Sequence, residues 1–170
     1  MKKMSHTPKP ILYSAISILA LISVAGCSSN NCPLESSVYC NYLFYDSEGT
    51  AVAYNETMSV YMRLPNTGRD SLIINKVTGA TQFEIPMSYF HSKDTLIIEY
   101  ASLVRKDTIV VSHKSYAHVD LPECGTKYFH ELLDISTTHI GIDKIEIVNP
   151  MVNYDKMENV RIFFNGVATE

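Results

Sequence analysis

Short segments of alternating apolar and polar residues, separated by turn residues, constrain the fold of this chain more than any other feature. In one segment Met58, Val60, Met62 and Leu64 share a face, and Pro65-Asn66-Thr67-Gly68 follows as a turn signal. This period-2 alternation predicts strands, and no long helical pattern occurs. The sequence therefore predicts an all-β fold, an antiparallel β-sandwich of immunoglobulin-like kind with about nine or ten short strands.

The predicted strands follow one another closely. They cover residues 37–45, 50–55, 57–64, 71–75, 81–85, 96–100, 108–113, 116–121, 128–140, 142–148 and 158–165, the segment 128–140 also admitting a short helical start. Lys114 and Ser115 are predicted to separate two of these strands as a turn. Many Val, Ile and Thr residues, with 11 Tyr, 6 Phe and no Trp, also favour strands.

The N-terminal segment has the organisation of an export signal. Lys2, Lys3 and Lys9 precede an apolar run over residues 11–25, which is too short to cross a hydrocarbon core of ~30 Å. The run ends in Val24-Ala25-Gly26-Cys27, which resembles the lipobox of bacterial lipoproteins. We expect a signal peptide over 1–26, a lipidated Cys27 with a short tether over 27–36, and one β-sandwich domain over 37–170. An ordinary secretory signal is the alternative.

Lipidation of Cys27 would fix the location of the chain. Each buried CH₂ contributes roughly 0.8 kcal/mol, so a multiply acylated cysteine is a lasting anchor in the lipid bilayer. Ser28 rather than Asp follows Cys27, and no acidic run comes next. We therefore expect a lipid-anchored protein of the cell envelope, in the outer membrane and facing the periplasm.

The charge of the mature chain excludes one class of partner. Three of the 14 basic residues but none of the 18 acidic ones precede Cys27, which leaves a net charge of −7. An acidic domain lacks the basic surface that binds nucleic acid. No nucleic-acid partner is expected.

Three cysteines remain after lipidation, so one disulfide would leave one thiol. Cys32 and Cys124 lie in turn-like contexts, before Pro33 and Gly125, whereas Cys40 lies in a strand-like run and suits a buried core position. We favour a Cys32–Cys124 bridge, and Cys40–Cys124 is the alternative.

No pattern of catalytic or metal-binding residues stands out. HExxH, GxSxG and P-loop motifs are absent from the sequence. His113 and His118 flank the predicted turn at Lys114 and could meet across a hairpin, but no further ligand completes a zinc set. We interpret the histidines as solvated strand residues, and expect no catalytic residue, no metal and no cofactor.

One loop carries a candidate ligand platform. Tyr89, Phe90 and His91 are consecutive, and with Tyr116 and Tyr128 they could form an aromatic surface for a glycan or a peptide. The competing interpretation is that these are ordinary aromatic residues of the sandwich core and edge.

The chain resembles an uncharacterised lipoprotein family of Bacteroidota envelopes, domain-of-unknown-function family 6452. The resemblance rests on the lipobox, Cys32-Pro33, Cys124-Gly125 and a set of strand motifs. The motifs are Tyr42-Leu43-Phe44-Tyr45-Asp46, Asp70-Ser71-Leu72-Ile73-Ile74, Phe83-Glu84-Ile85-Pro86-Met87, Asp94-Thr95-Leu96-Ile97-Ile98, Ile145-Glu146-Ile147-Val148-Asn149-Pro150 and Asn159-Val160-Arg161-Ile162-Phe163. It implies a single extracytoplasmic β-domain without assigned activity. Of the three mature cysteines, many relatives look as if they have only the counterparts of Cys32 and Cys124, which supports that pairing, and Cys40 departs from the pattern.

Three tripeptides resemble the Asp-Ser/Thr-apolar O-glycosylation signal of Bacteroidota envelope proteins. The modified residues would be Ser71, Thr95 and Thr108. The alternative is turn chemistry, because Asp before Ser or Thr commonly starts a strand.

These features together predict a membrane-anchored structural or protein-interaction module. Its partner would be another envelope protein, and no catalysis is expected. The alternative function is a glycan- or small-ligand-binding module of the envelope.

Overall fold

The computed structural model describes residues 38–102 and 106–165, and these residues form ten strands. A single turn of 3₁₀ helix, Pro122–Cys124, interrupts them. The strands are β1 (Tyr39–Tyr45), β2 (Met58–Arg63), β3 (Asp70–Val77), β4 (Gln82–Pro86), β5 (Lys93–Tyr100), β6 (Lys106–His118), β7 (Lys127–Thr137), β8 (Ile142–Ile147), β9 (Met151–Val152) and β10 (Val160–Phe164).

The strands form two packed sheets, which confirms the predicted all-β sandwich. One sheet has the order β4-β1-β10-β8 and the other the order β3-β2-β5-β6-β7-β9. One pairing departs from the predicted antiparallel arrangement, because β1 and β10 pair in parallel from Tyr42–Val160 to Tyr45–Phe163. The first and last strands of the domain are therefore neighbours in the centre of one sheet.

The core lies between the sheets and is built by the inward-facing residues of both. Phe44 and Phe164 are fully buried and meet edge to face, with ring centroids 5.1 Å apart. Val60, Ile98 and Ile109 of the other sheet belong to the same buried cluster. Each such side chain contributes about 1.5–3 kcal/mol when it is fully buried, so this layer is the main source of stability.

Two predicted segments differ from the structure. Lys114 and Ser115 do not form a turn, since β6 runs through them and pairs them with Glu131 and His130. Residues 50–55 do not form a strand, because only Ala51 and Tyr54 make isolated bridges there.

The strands run between two ends of the sandwich, which we call the entry pole and the far pole. The entry pole contains Val38, where the described chain begins, and the connections 64–69, 87–92, 119–126, 148–150 and 153–159. The far pole contains the connections 46–57, 78–81 and 138–141, and the described residues 101–102.

A buried carboxylate organises the far pole. Asp107 is fully buried and accepts hydrogen bonds from the hydroxyls of Tyr100 and Thr138, both at 2.9 Å. The backbone N–H groups of Ile140, Gly141 and Ile142 donate to it at 2.7–3.1 Å. The carboxylate thus fixes the connection from β7 to β8, which links the two sheets.

The described residues contain no helix long and apolar enough to span a membrane.

Candidate functional site

The edge strand β3 presents an open side of the six-stranded sheet. Every residue of β3 is exposed or half-buried, and within the described residues only β2 pairs with it. Leu72 and Ile73 are 46% and 36% exposed, although they are apolar. An exposed apolar edge is a template for a further strand, because its N–H and C=O groups lack partners on one side.

Part of the β3 edge is protected against the addition of a further strand. Asp70 forms a surface ion pair with Arg63 at 3.0 Å, and Lys76 adopts a positive φ of 50°. The pairing of β3 with β2 is also irregular around Ile73. A regular strand addition is therefore restricted to the short stretch of β3 between the ion-paired Asp70 and the irregularity at Ile73, which contains Ser71 and Leu72.

The predicted aromatic platform lies in the loop 87–92 at the entry pole. Tyr89 and Phe90 have ring centroids 4.0 Å apart, and Tyr89 stacks on Tyr128 at 4.5 Å with an interplanar angle of 14°. Phe90 is 78% exposed, the highest value among the large apolar residues. The structure thus brings together three aromatic side chains, of which Phe90 projects into solvent.

Two grooves flank this loop. One, of about 420 Å³, separates the loop from the connection Leu64–Thr67 and includes Met62, Met87 and His91 in its lining. The other, of about 350 Å³, separates the loop from β6, between His113 and Tyr116. The platform therefore stands as a ridge between two depressions.

The loop is held from below by buried polar groups of β5 and β6. The N–H of Ser88 donates to Asp94 Oδ2 at 2.9 Å, and the N–H of His91 donates to Ser88 Oγ at 3.2 Å. The N–H of His113 donates to the carbonyl of Ser92 at 2.9 Å. These bonds fix the base of the ridge to the sheet.

A cluster of ionisable residues lies beneath the loop. His113 is fully buried, its Nε2 lies 3.1 Å from Asp94 Oδ2, and its Nδ1 has no hydrogen-bond partner in the described part of the chain. His130 is 2% exposed, and its Nδ1 lies 3.0 Å from Ser115 Oγ. The prediction that these two histidines are solvated is wrong, because both alternate with core residues on the inward face.

Burial, reinforced by the neighbouring His113, lowers the pKa of His130 to about 4. His130 is therefore neutral near pH 7. Asp94 pairs with His113, whereas Ser115 pairs with His130, so the three residue types do not form an Asp–His–Ser relay. What the hydrogen bonds of Asp94 show is a link between the loop residue Ser88 and the buried His113.

Cys40 is a free, fully buried thiol in β1. Burial raises the pKa of Cys40 to about 12, so the thiol stays protonated and unreactive. A free Cys40 excludes the alternative Cys40–Cys124 bridge. Cys32 and Cys27 lie outside the described residues, and the bridge from Cys32 to Cys124 and the lipidation of Cys27 stay predictions.

Other predicted residues do not join the aromatic stack, although Tyr116 borders the smaller groove beside it. Tyr116 is on the outward face of β6, where its hydroxyl donates to Glu131. His113 and His118 belong to one strand rather than to two hairpin arms, and His118 stacks on Phe129 at 4.3 Å. Among residues 38–102 and 106–165, no three His, Cys, Asp or Glu residues converge to hold a metal ion.

The candidate glycosylation residues differ in their surroundings. Asp94 and Asp107 are buried and engaged in hydrogen bonds, whereas Asp70, before Ser71, is exposed at the start of β3. Thr95 and Thr108 are half-buried within β5 and β6. Modification of any of the three stays a prediction.

Comparison with family models decides the classification. The model of a family of unknown function, DUF6452, matches residues 57–164. The chain belongs to this family. The DUF6452 match runs from the start of β2 to the end of β10, so it includes the edge strand, the loop 87–92 and the buried histidines. Comparisons with curated proteins and with solved structures found no match.

Sequence reasoning missed the buried polar cluster and the role of Asp107. A signal for the first was available, because Ile109, Val111 and His113 alternate on one face and His130 alternates with Leu132. Four of the five hydrogen bonds to Asp107 join residues more than 30 positions apart, and no local pattern in the DUF6452 chain encodes them.

Proposed function

We propose that this chain is an envelope lipoprotein held at a membrane by an acylated Cys27 and acting as a structural or protein-interaction module without catalysis. The signal-like residues 1–26 and the lipobox support the anchor and a place in the outer membrane facing the periplasm. The Cys32–Cys124 bridge would pin the tether-proximal end to the domain.

The observation that carries the interaction role is the open edge of β3. Leu72 and Ile73 stand exposed on a strand whose outer side is unpaired within the described residues. A segment of an envelope protein would add to this edge as a further strand, with backbone hydrogen bonds for affinity and contacts to Leu72 for specificity.

Site-specific photo-cross-linking in the native cell tests the interaction. A photoreactive residue in place of Leu72 is expected to give one dominant protein adduct, and the additional substitution Ile73→Lys should abolish that adduct. The matched control replaces Leu133, which is 50% exposed on β7. Equal, diffuse labelling from positions 72 and 133 would contradict the role of β3.

Intact-mass analysis of the protein from its own membrane tests the anchor separately. The expected mass is that of a chain beginning at Cys27 with its acyl groups, and Cys27→Ser should remain uncleaved and unacylated. The wild-type chain is compared with the Ser71→Ala variant in the same analysis. Additional mass that is present on the wild-type chain and absent from the variant would assign the predicted glycosylation to Ser71.

A glycan- or small-ligand-binding module is the second candidate. The exposed ring of Phe90 beside the groove of about 420 Å³ favours it. The competing observation is that Tyr89 and Tyr128 stack on each other, which occupies ring faces that a sugar would need. Binding of the wild-type and Phe90→Ala proteins to a glycan array tests this second function. A glycan that binds the wild-type protein and does not bind the variant would establish it.

A further inference from the structure

The exposed apolar side chains of the described residues are unevenly distributed between the poles. Thirteen large apolar residues are exposed, and ten of them lie at the entry pole or on the strand ends that reach it. These ten are Tyr39, Leu64, Tyr89, Phe90, Tyr116, Val119, Leu121, Val148, Met151 and Met157. The other three, Leu72, Ile73 and Leu133, lie on the edge strand β3 and on β7.

The far pole has the opposite character. Its described turns expose small and polar residues such as Ser47, Glu48, Thr78 and Ser102, and none of the thirteen lies there. Single apolar residues scattered over a surface are normal, but among the described residues the exposed ones are concentrated towards one end of the sandwich. The asymmetry indicates that the entry pole meets an apolar or interfacial environment.

The chain enters the domain at this same pole. Tyr39 pairs with Pro86, so Val38 lies beside the start of the loop that carries Tyr89 and Phe90. Eleven residue steps separate Cys27 from Val38 in the sequence. Even fully extended, such a segment spans at most about 40 Å, so a membrane-bound Cys27 keeps Val38, at the entry pole, within that distance of the lipid surface.

The residue types at the pole suit the membrane interface. Tyrosine places an apolar ring and a polar hydroxyl at the headgroup level, and Phe, Leu and Met side chains partition into the adjacent acyl region. The mature chain carries a net charge of −7, so attraction to anionic lipid does not explain contact. The contact would be apolar and would form on an uncharged, zwitterionic surface.

We propose that the entry pole rests on the lipid bilayer, with Tyr89 at the headgroup level and Phe90 reaching the adjacent acyl region. This inference rests on the proposed acyl anchor at Cys27. It assigns the ridge formed by the loop 87–92 to lipid and leaves the edge of β3 open for a protein partner.

Tryptophan fluorescence tests the contact directly, because the chain contains no Trp. Phe90→Trp introduces a single probe at the ridge, and Glu48→Trp introduces the matched probe at an exposed turn of the far pole. Each acylated full chain is reconstituted into phosphatidylcholine vesicles whose acyl chains carry bromine, a contact quencher. The position-90 probe is expected to lose most of its emission, and the position-48 probe to keep its emission.

Flotation of the vesicles separates the two proposals. Protein that floats but shows equal emission from both probes would overturn the membrane contact and leave the anchor standing. Protein that does not float would overturn the anchor and the contact together. Emission from position 90 that responds to a soluble oligosaccharide, and not to brominated lipid, would also overturn the contact and would favour the glycan-binding alternative.

Discussion

At the scale of single residues, buried polar groups rather than exposed ones determine how this domain responds to mutation and pH. Asp107 accepts five hydrogen bonds without exposure to solvent, and His130 is buried in its neutral form. Both groups are costly to disturb, since a buried polar atom that loses its partner cannot recover the bond from water.

Asp107→Asn should destabilise the fold by about 3 kcal/mol, because the amide replaces one accepting oxygen with a donor that faces other donors. Equilibrium denaturation in urea measures the loss. Asp70→Asn is the matched control, since its carboxylate forms an exposed ion pair and should cost at most about 1 kcal/mol. Equal losses in both variants would contradict the organising role of Asp107.

The free energy of unfolding should depend on pH through the protonation of His130. Its folded-state pKa, about 4, lies below the ordinary value of 6.5, so between these values the unfolded chain binds a proton that the native chain does not. Stability should therefore fall as the pH falls from 6.5 to 4, by on the order of 3 kcal/mol from this group. His130→Gln should flatten that part of the profile, whereas His118→Gln leaves His130 in place and should retain it.

Asp107 acts in a lower pH window. Burial favours its protonated form, but the N–H groups of Ile140 and Gly141, with the hydroxyls of Thr138 and Tyr100, outweigh burial and lower the pKa of Asp107 below its ordinary 3.8. Its contribution is complete above that ordinary value and is lost as the pH falls through the lowered one. The two groups can therefore be distinguished in one titration of stability.

At the scale of elements, the loop 87–92 depends on the sheet beneath it. Asp94→Ala removes the acceptor of the Ser88 N–H and leaves buried His113 Nε2 without its partner. Hydrogen exchange of the loop amides should become about tenfold faster, which corresponds to the loss of one hydrogen bond. Peptides from the connection 64–69 provide an internal reference, and unchanged loop protection would show that other contacts hold the ridge.

The sequence predicted element types better than element ends and pairings. The alternation in β2 and β5 is strong, and both strands were predicted. Lys114 and Ser115 resembled a turn because both are polar, yet Lys114 is outward-facing and Ser115 bonds to His130 across the strand pair. Two adjacent polar residues look like a turn when only the local sequence is considered. Their place in β6 becomes evident only from the pairing of β6 with β7.

The candidate site was predictable only in part for the same reason. Three consecutive aromatic residues in a loop indicated the ridge, and the structure brings Tyr128 to it through the β6–β7 pairing. Tyr116 is also a predicted member of the platform. It is displaced by one residue from the inward-facing positions of β6, so its side chain lies on the opposite face of the sheet. The concentration of exposed apolar residues at one pole depends on the order of the strands in the two sheets. No single segment of the sequence determines that order, so the concentration could not be predicted.

At the scale of the whole molecule, the predicted Cys32–Cys124 bridge should govern stability. It would close a loop of about 90 residues, and its loss should cost roughly 4–5 kcal/mol in the loop-entropy model. Cys124→Ser and wild-type protein in reductant should unfold at the same lower urea concentration. A wild-type chain that is insensitive to reductant would contradict the bridge, and Cys40→Ala should retain sensitivity because Cys40 is a free thiol.

The parallel pairing of β1 with β10 has a consequence for the order of assembly. β10 lies between β1 and β8, so the four-stranded sheet lacks its centre until residues 160–164 are available. A chain emerging from a ribosome or a translocation channel delivers β10 after the other nine described strands. β1 and β8 therefore stay unconnected in the nascent domain, and the four-stranded sheet can close only when β10 has been released.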